Sequence, residues 1–259
     1  MTADRWAQMV RHQVGLGRLL PLGGPDDGAW IAEGAAGAVL GRAAADGAPG
    51  VRLGALRIAP ADPEDVREPV VPAPPSALPP GELRVTADFA MTADLAVTAD
   101  LAVTADLAVT GGESVPAAAS RLRRVLATAA TDRLGLAVAE IDLRLTDLLE
   151  ADEPAPAAVP VPQPPPAREP TDPDEIAVTA AALAVPGVVR LTGSLGGLGR
   201  AVHIEERREG TALPRRHVRV EVATGTDHRA VDVARSVRAA ARDALRDRPT
   251  VAVLVTAVG

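Results

Sequence analysis

The chain has 259 residues, a formal net charge of −7 and no cysteine. The lack of cysteine excludes disulfides, thiolate metal sites, iron–sulfur clusters and cysteine nucleophiles, and the acidic balance disfavours unspecific binding to nucleic acid or anionic membranes. The length allows one large domain or two small ones, whose cores must consist of Ala, Val and Leu because aromatic residues make up only 1% of the chain.

Residues 1–28 are predicted to form an amphipathic helix and a loop. Trp6 and Met9 recur at helical spacing within residues 4–20, and Pro21 ends the pattern. The mixed charges of the polar face favour a helix that docks on the first domain over a membrane or partner anchor. Charges interrupt the segment too often for a signal peptide, and no apolar run approaches the roughly 20 residues that span a bilayer. We therefore expect a cytoplasmic protein.

A first module is predicted over residues 29–150. Its elements are a helix that the Asp26-Asp27 pair can cap, two strands, and a helix-turn-strand unit: residues 29–45, 51–58, 83–89 and 120–149. The two strands are separated by a Pro-rich acidic loop, which lacks backbone donors and should be extended and irregular.

A six-residue unit, TADLAV, is repeated within residues 86–110. Because six is an even number, a strand would place Leu and Val on one face, whereas a helix would spread them around its axis. A single strand of this length would reach roughly 80 Å, so the segment must fold back, protrude or stay mobile. The unit also matches hexapeptide β-helices, although it supplies only about one coil. We interpret it as an inserted tandem expansion that can act as an adhesive edge.

Residues 151–171 are predicted to be a linker. Their proline density favours a polyproline II spacer between two modules. A docking site for a proline-recognition module is the alternative, but any such linker contains PxxP spacings by chance.

A second module is predicted over residues 172–259. Asp172 or Thr171 caps its first helix, and the elements in order are a helix, a strand, a two-stranded hairpin, a helix and a terminal strand: residues 173–184, 188–192, 201–206, 217–223, 229–246 and the segment ending at Val258. Alternation in the hairpin predicts one buried face and one solvent face. The buried face holds Val202, Ile204, Val218, Val220 and Val222, and the solvent face holds His203, Glu205, Arg219 and Glu221.

The two modules share a local sequence signature. Pro49-Gly50-Val51 and Pro186-Gly187-Val188 both lie between a predicted helix and a strand, and both are followed by Arg-Leu and then Gly. Together with the repeated helix-turn-strand units, this predicts an internal duplication. The expected fold is α+β, with two related helix-strand-strand-helix-strand modules joined by the Pro-rich linker.

Candidate chemistry is sparse. The glycine-rich run Gly193, Gly196, Gly197 and Arg200 follows a strand and could contact a phosphate or a partner, but no helix N-terminus follows it. Gly193 and Gly196 also match the GXXG clamp of KH domains, which joins two helices rather than two strands. His203 and His217 can face each other across the hairpin, but two histidines without a third ligand are a poor metal site.

The last predicted helix has a buried face that includes Val233 and Val237, and an arginine stripe of Arg235, Arg238, Arg242 and Arg246 lies beside it. The first three are candidate contacts for phosphate or an acidic partner. Nearby aspartates favour a solvated face instead.

The second module resembles the alkaline-shock, Gls-type family of envelope stress response proteins. The resemblance rests on AVPGV at 184–188, RLTG at 190–193, VRVEV at 218–222 and ARSVR at 234–238. It is best over residues 174–258 and fainter over 29–149. It departs from the family in the Pro-rich loop, in the repeat, and at Arg248-Pro249, where the family's turn carries Thr-Gly. The opening ADRWAQMVRHQVGLGRLLPLGG, with DGAWIAE, resembles actinobacterial proteins that carry a nucleopolyhedrovirus fibrous-body family label.

The resemblance implies a small α+β module without a cofactor, active in envelope stress or as a membrane-peripheral scaffold. The residue patterns are consistent with this implication, since no catalytic, cofactor-binding or metal-binding residue can be assigned from spacing. We expect a non-enzymatic protein that self-associates or binds a protein partner, including a membrane-bound one, and that has no small-molecule substrate. The alternative is a KH-like nucleic-acid-binding protein, although nucleic acid is not the expected partner.

Overall fold

The computed structural model describes residues 16–93, 114–150, 163–194, 199–207 and 214–259. In these ranges nine strands form two sheets, and four α-helices and a π-helical turn pack with them. The protein is therefore α+β, which confirms the predicted fold class.

The larger sheet, called sheet A, contains strands from both ends of the chain. They are β1 (Leu19–Pro21), β2 (Ala29–Ala32), β6 (Val188–Leu191), β7 (Val202–Arg207), β8 (Arg215–Thr224) and β9 (Thr250–Val258). The order is β1-β2-β9-β8-β6, and β7 pairs with the other half of β8. Strands β2, β9 and β8 are parallel, whereas β1, β6 and β7 run antiparallel to their neighbours.

The smaller sheet, called sheet B, has three strands. They are β3 (Val51–Pro60), β4 (Leu83–Ala93) and β5 (Val138–Glu150). Strand β4 is central; it pairs antiparallel with β3 and parallel with β5.

The helices are α1 (Glu33–Gly47), α2 (Val115–Thr128), α3 (Pro173–Leu183) and α4 (Ala230–Asp243). Ser114 caps α2 and Asp172 caps α3, each with a proline in the first turn. The π-helical turn Ala129–Leu134 continues α2 and ends at Gly135, whose φ is +90°. A Cβ atom at Gly135 would lie 2.3 Å from Val231 Cγ1, so only glycine allows this turn to touch α4.

The same order of elements and the same strand pairing occur twice. The first set is α1, β3, β4, α2 and β5, and the second is α3, β6 with β7, β8, α4 and β9. In each set the first strand is antiparallel to the second, and the second is parallel to the third. Strands β6 and β7 follow one another along β8 and so take the place of β3. The duplication itself stays a prediction.

The predicted helix over residues 29–45 is wrong at its start. Ala29–Ala32 form β2, and α1 begins at Glu33 with Ala32 as its N-cap. Trp30 and Ile31 are fully buried in the strand, which favours this conformation over a longer helix. Because β2 pairs with β9, residues assigned to the first module lie in the sheet of the second.

The structure also describes parts of two other predicted segments. The helix over residues 4–20 is wrong at its far end, where Leu19–Pro21 form β1; residues 1–15 lie outside the described ranges. Within the predicted linker, the backbone N–H of Ala167 donates to Leu191 O at 3.2 Å and that of Arg168 donates to Gly199 O at 2.7 Å. This part of the linker is thus bound to sheet A. The repeat beyond β4 and linker residues 151–162 are outside the described ranges.

One apolar core connects the two sheets. Helix α1 contacts β9 of sheet A and β3 of sheet B, and α4 contacts β2, β9 and the π-helical turn. Leu40 of α1, Val253 of β9 and Ile58 of β3 belong to the same buried cluster.

A partly buried carboxylate also joins the two sheets. Glu33 accepts hydrogen bonds from the Arg18 guanidinium at 3.2 Å and from the backbone N–H of Ile58 at 3.1 Å. Burial alone would raise the pKa of Glu33, but these hydrogen bonds lower it overall. The ionised form therefore ties the segment before β1 to β3.

The Pro-rich loop between β3 and β4 closes sheet A at β1. Trp30 Nε1 donates to Leu78 O at 3.2 Å, and the N–H of Leu78 donates to Leu19 O at 2.8 Å. Val71 of the loop is also buried. The edge at β1 is therefore covered.

Candidate functional site

Two members of the arginine stripe hold the turn before β2 against α4. Arg235 donates from Nε to Asp27 Oδ1 at 2.7 Å and from Nη2 to Oδ2 at 2.9 Å. Arg238 donates to Asp26 O at 2.7 Å and to Val251 O at 3.2 Å. Both guanidinium groups therefore bind groups within the chain, although Arg235 is also about half exposed to solvent. Their role as phosphate or partner contacts stays a prediction.

Charge reinforces this contact. The hydrogen bond from Arg235 lowers the pKa of Asp27 against the opposing effect of burial, and the N–H of Gly24 lowers it further. The hydrogen bond between Arg235 and Asp27 also raises the pKa of Arg235. Arg242 lies exposed one turn further along α4, so its role as a partner contact stays a prediction.

The glycine-rich segment joins strands β6 and β7. Gly193 is packed so closely that a Cβ atom there would lie 2.2 Å from Gly199 O. Arg200 pairs with Glu175 at 3.2 Å. Gly196 and Gly197 lie outside the described ranges. Gly193 thus leads from one strand to another, whereas a KH clamp joins two helices and a phosphate cradle precedes a helix.

A buried polar cluster lies beside this segment on β7 and β8. Glu221 is fully buried and accepts a hydrogen bond from the Ser194 N–H at 2.7 Å. His203 Nε2 lies 3.8 Å from Glu221 Oε1 and 3.2 Å from Arg200 O. Within the described part of the chain, Ser194 Oγ and Arg219 Nε are buried without hydrogen-bond partners.

The expected solvent face of the hairpin is wrong at Glu221, which is fully buried. His217, which alternation places on the same face, is only 5% exposed. Alternation assigns their face correctly, but the chain covers this face as well, which strand periodicity does not encode.

The two histidines do not lie directly opposite each other. The register pairs His203 with Arg219 and His217 with Glu205. Burial, together with the nearby Arg219 charge, lowers the pKa of His203. Burial also lowers the pKa of His217, to about 4. Neutral imidazoles are thus favoured, and within the described residues no group of three His, Cys, Asp or Glu side chains is placed to hold a metal ion.

A cleft of about 430 Å³ opens where the C-terminal end of α4 meets α3 and β8. It is lined by Asp174, Arg216, Ala244, Leu245, Arg246 and Asp247. Arg216 bridges Asp174 at 2.6 Å and Asp247 at 3.4 Å. These ion pairs cross the cleft and hold α3 to the end of α4.

Sheet B presents a different kind of surface. In the described ranges no strand pairs with the side of β5 that faces away from β4, called here the β5 edge. Leu145 is 36% exposed and Leu148 is 44% exposed on this strand. The sequence analysis assigns β5 to the predicted helix-turn-strand unit at residues 120–149 and does not identify this surface. The alternating run IDLRL at 141–145 was the available signal.

Helix α3 exposes a second apolar area. Ile176 and Leu183 lie two turns apart on one side of the helix and are each about half exposed. Val189 at the start of β6 is also exposed. Together they add apolar surface outside the core.

Comparison with protein-family models, curated proteins and solved structures found no match to this chain. None of the helices in the described ranges has both the length and the apolar character that crossing a membrane requires.

Proposed function

We propose that the protein is a non-catalytic interaction protein that binds a protein partner, or a second copy of itself, through the β5 edge. The observation that carries this proposal is the 13-residue strand β5, which lies at the border of sheet B with two leucines exposed. Long strand edges recruit further strands by backbone hydrogen bonds, and flanking side chains add specificity.

The polar groups elsewhere support an interaction role over catalysis. Arg235, Arg238 and Arg216 bind groups within the chain, and their contacts stabilise the packing of helices and turns. The pKa of His203 is lowered, and its Nε2 faces a carbonyl oxygen rather than a hydroxyl that it could activate.

The second part of the proposal is a role at the cell envelope. It is supported by the resemblance to alkaline-shock proteins and implies a cytoplasmic, membrane-peripheral protein with a membrane-bound partner.

A photoreactive amino acid at position 148 of the full chain tests this function in the native host. We expect a covalent adduct of defined mass, part of it in the membrane fraction. The matched control carries the same group at position 66, which is equally exposed but lies in the Pro-rich loop. Equal labelling from both positions would contradict the proposal, and so would a small-molecule turnover that is lost in His203→Ala or Ser194→Ala.

A further inference from the structure

We propose that the partner at the β5 edge is a second copy of this chain, paired antiparallel with β5 about a two-fold axis at Leu143. The inference rests on the proposed function and names its partner. It follows from the backbone groups, the charges and the related strand β9.

The open part of the edge is limited by two side chains. Arg123 of α2 donates to Ile141 O at 3.0 Å, and Asp147 Oδ1 accepts from the N–H of Leu148 at 2.9 Å. Both backbone groups therefore point away from β4. Since one residue's N–H and C=O point to the same side of a strand, Ile141, Leu143 and Leu145 present their backbone groups to the open edge.

This stretch suits a symmetric antiparallel pair. With Leu143 opposite Leu143 of the second copy, Ile141 lies opposite Leu145, and each opposed pair can exchange two hydrogen bonds. Ile141 O retains a second lone pair beside its bond to Arg123. The leucine side chains of both copies then lie on one face of a continuous sheet, which would bury Leu145.

Charges select this register over its neighbours. About Leu143, Asp142 of each copy faces Arg144 of the other, so two opposite-charge pairs form. Moving the axis to residue 142 opposes two Asp142 side chains, and moving it to residue 144 opposes two Arg144 side chains. In the register about Leu143, Asp142 lies between Arg144 of the second copy and Arg84 of its own chain, which is 3.7 Å away on β4.

The related strand in sheet A shows such an edge completed. Strand β9 holds the same place in the second set of elements as β5 holds in the first, and β2 pairs along its outer side in the parallel direction. The comparison therefore supports the addition of a strand at this edge, whereas the antiparallel direction follows from the two-fold symmetry and the charges. The β5 edge lacks a counterpart of β2 in the described ranges.

Sedimentation velocity of the full chain over a range of concentrations provides the first test. Because the interface is small, we expect a reversible dimer in the micromolar range. Asp142→Arg alone and Arg144→Glu alone should each weaken the dimer at least about tenfold, since each places like charges opposite one another twice. An equimolar mixture of the two variants should recover dimer, because both cross-strand pairs are then of opposite charge.

The matched control is Arg57→Glu, which makes the same charge change at an exposed position of β3, the opposite border of sheet B. We expect wild-type dimerisation. An equal loss of dimer in this control would overturn the assignment to β5, and so would a mixture that stays monomeric.

Single cysteines test the register, because the chain has none of its own. Leu143→Cys should give a disulfide-linked dimer on mild oxidation, since the paired Cα atoms would be about 5.5 Å apart. Leu145→Cys should not, because the two positions would be roughly 14 Å apart along the strands. Linkage at 145 but not at 143 would overturn the register.

A wild-type chain that is monomeric at all concentrations overturns the inference. If a photoreactive group at position 148 then captures a different protein, the proposed function stands without self-association. If it links only to this chain's own residues 94–113 or 151–162, both proposals fail.

Discussion

Strands β5 and β9 hold the same position in two sets of elements with the same order, yet their surroundings differ. Strand β9 lies between β8 and β2, and Val251 to Val255 are all buried. Strand β5 lies beside β4 alone in the described ranges, and most of its central residues are exposed.

The difference shows that position in the element order does not decide whether a strand is internal. Strand β9 becomes internal because a segment more than 200 residues earlier pairs with it. Arg235 and Arg238 of α4 bind the turn that leads into this segment. In the first set, Arg123 of α2 instead binds the edge carbonyl of Ile141. In the second set, arginine side chains of the helix thus help to hold an added strand beside β9. In the first set, an arginine side chain of the helix binds a backbone carbonyl at the unpaired edge of β5.

The largest expected effect comes from placing an aspartate in each of the two strands and comparing the losses of stability. Val253→Asp places a carboxylate in a fully buried site of β9, and we expect a loss of more than about 4 kcal/mol in the free energy of unfolding. Leu145→Asp in β5 should cost about 1 kcal/mol or less, because that side chain already contacts solvent. Urea denaturation followed by circular dichroism measures both.

Val253→Leu and Leu145→Ala are the controls for side-chain size. Similar losses in the two aspartate variants would mean that the β5 edge is covered as completely as β9. The difference between the two strands would then be absent in solution.

Periodicity and turn residues predict most of the elements. Pro49-Gly50 and Pro186-Gly187 mark the start of β3 and of β6, and Asp172 with Pro173 marks the start of α3. These are local signals, in which backbone restrictions act over a few residues. The predicted buried face of α4 is confirmed at Val233 and Val237 for the same reason.

The sequence does not predict which segments pair over long distances. Trp30 and Ile31 fit a helical pattern as well as a strand, and only the place between β1 and β9 decides between them. The arginine stripe is a second example. The spacing of the arginines identifies the exposed face of α4, but it does not predict that Asp27 lies opposite Arg235. The candidate surface on β5 is visible as an alternating pattern, but its open side depends on what the rest of the chain leaves unpaired.

An effect of intermediate size concerns His217, which lies on β8 within the covered face of sheet A. Burial lowers its pKa from 6.5 to about 4, with the Arg207 charge lowering it and Glu205 opposing. The neutral form is therefore favoured in the folded state. Its contribution to stability is complete above pH 6.5 and is lost as the pH falls towards 4, by up to about 1.4 kcal/mol per pH unit.

Urea denaturation at pH 7.5 and at pH 5 measures this effect. We expect His217→Gln to reduce the difference in free energy of unfolding between the two pH values. The exposed His228→Gln variant is the matched control for the loss of a histidine. An unchanged difference in His217→Gln would mean that this face of sheet A opens to solvent, as the border of sheet B does.

The smallest effect tests how the N-terminal strands are held. Arg235→Ala removes a bidentate ion pair with Asp27. Because Arg235 is about half exposed, we expect the free energy of unfolding to fall by about 1 kcal/mol. The pKa of Asp27 is lowered in the folded state, so the contribution is present above its ordinary value of 3.8 and is lost as the pH falls below it. A double-mutant cycle with Asp27→Ala measures the coupling.

Arg242→Ala on the same helix is the control, with an expected change within about 0.5 kcal/mol. Equal losses at both arginines, without coupling to Asp27, would mean that the pairing of β2 with β9 alone holds the N-terminal strands.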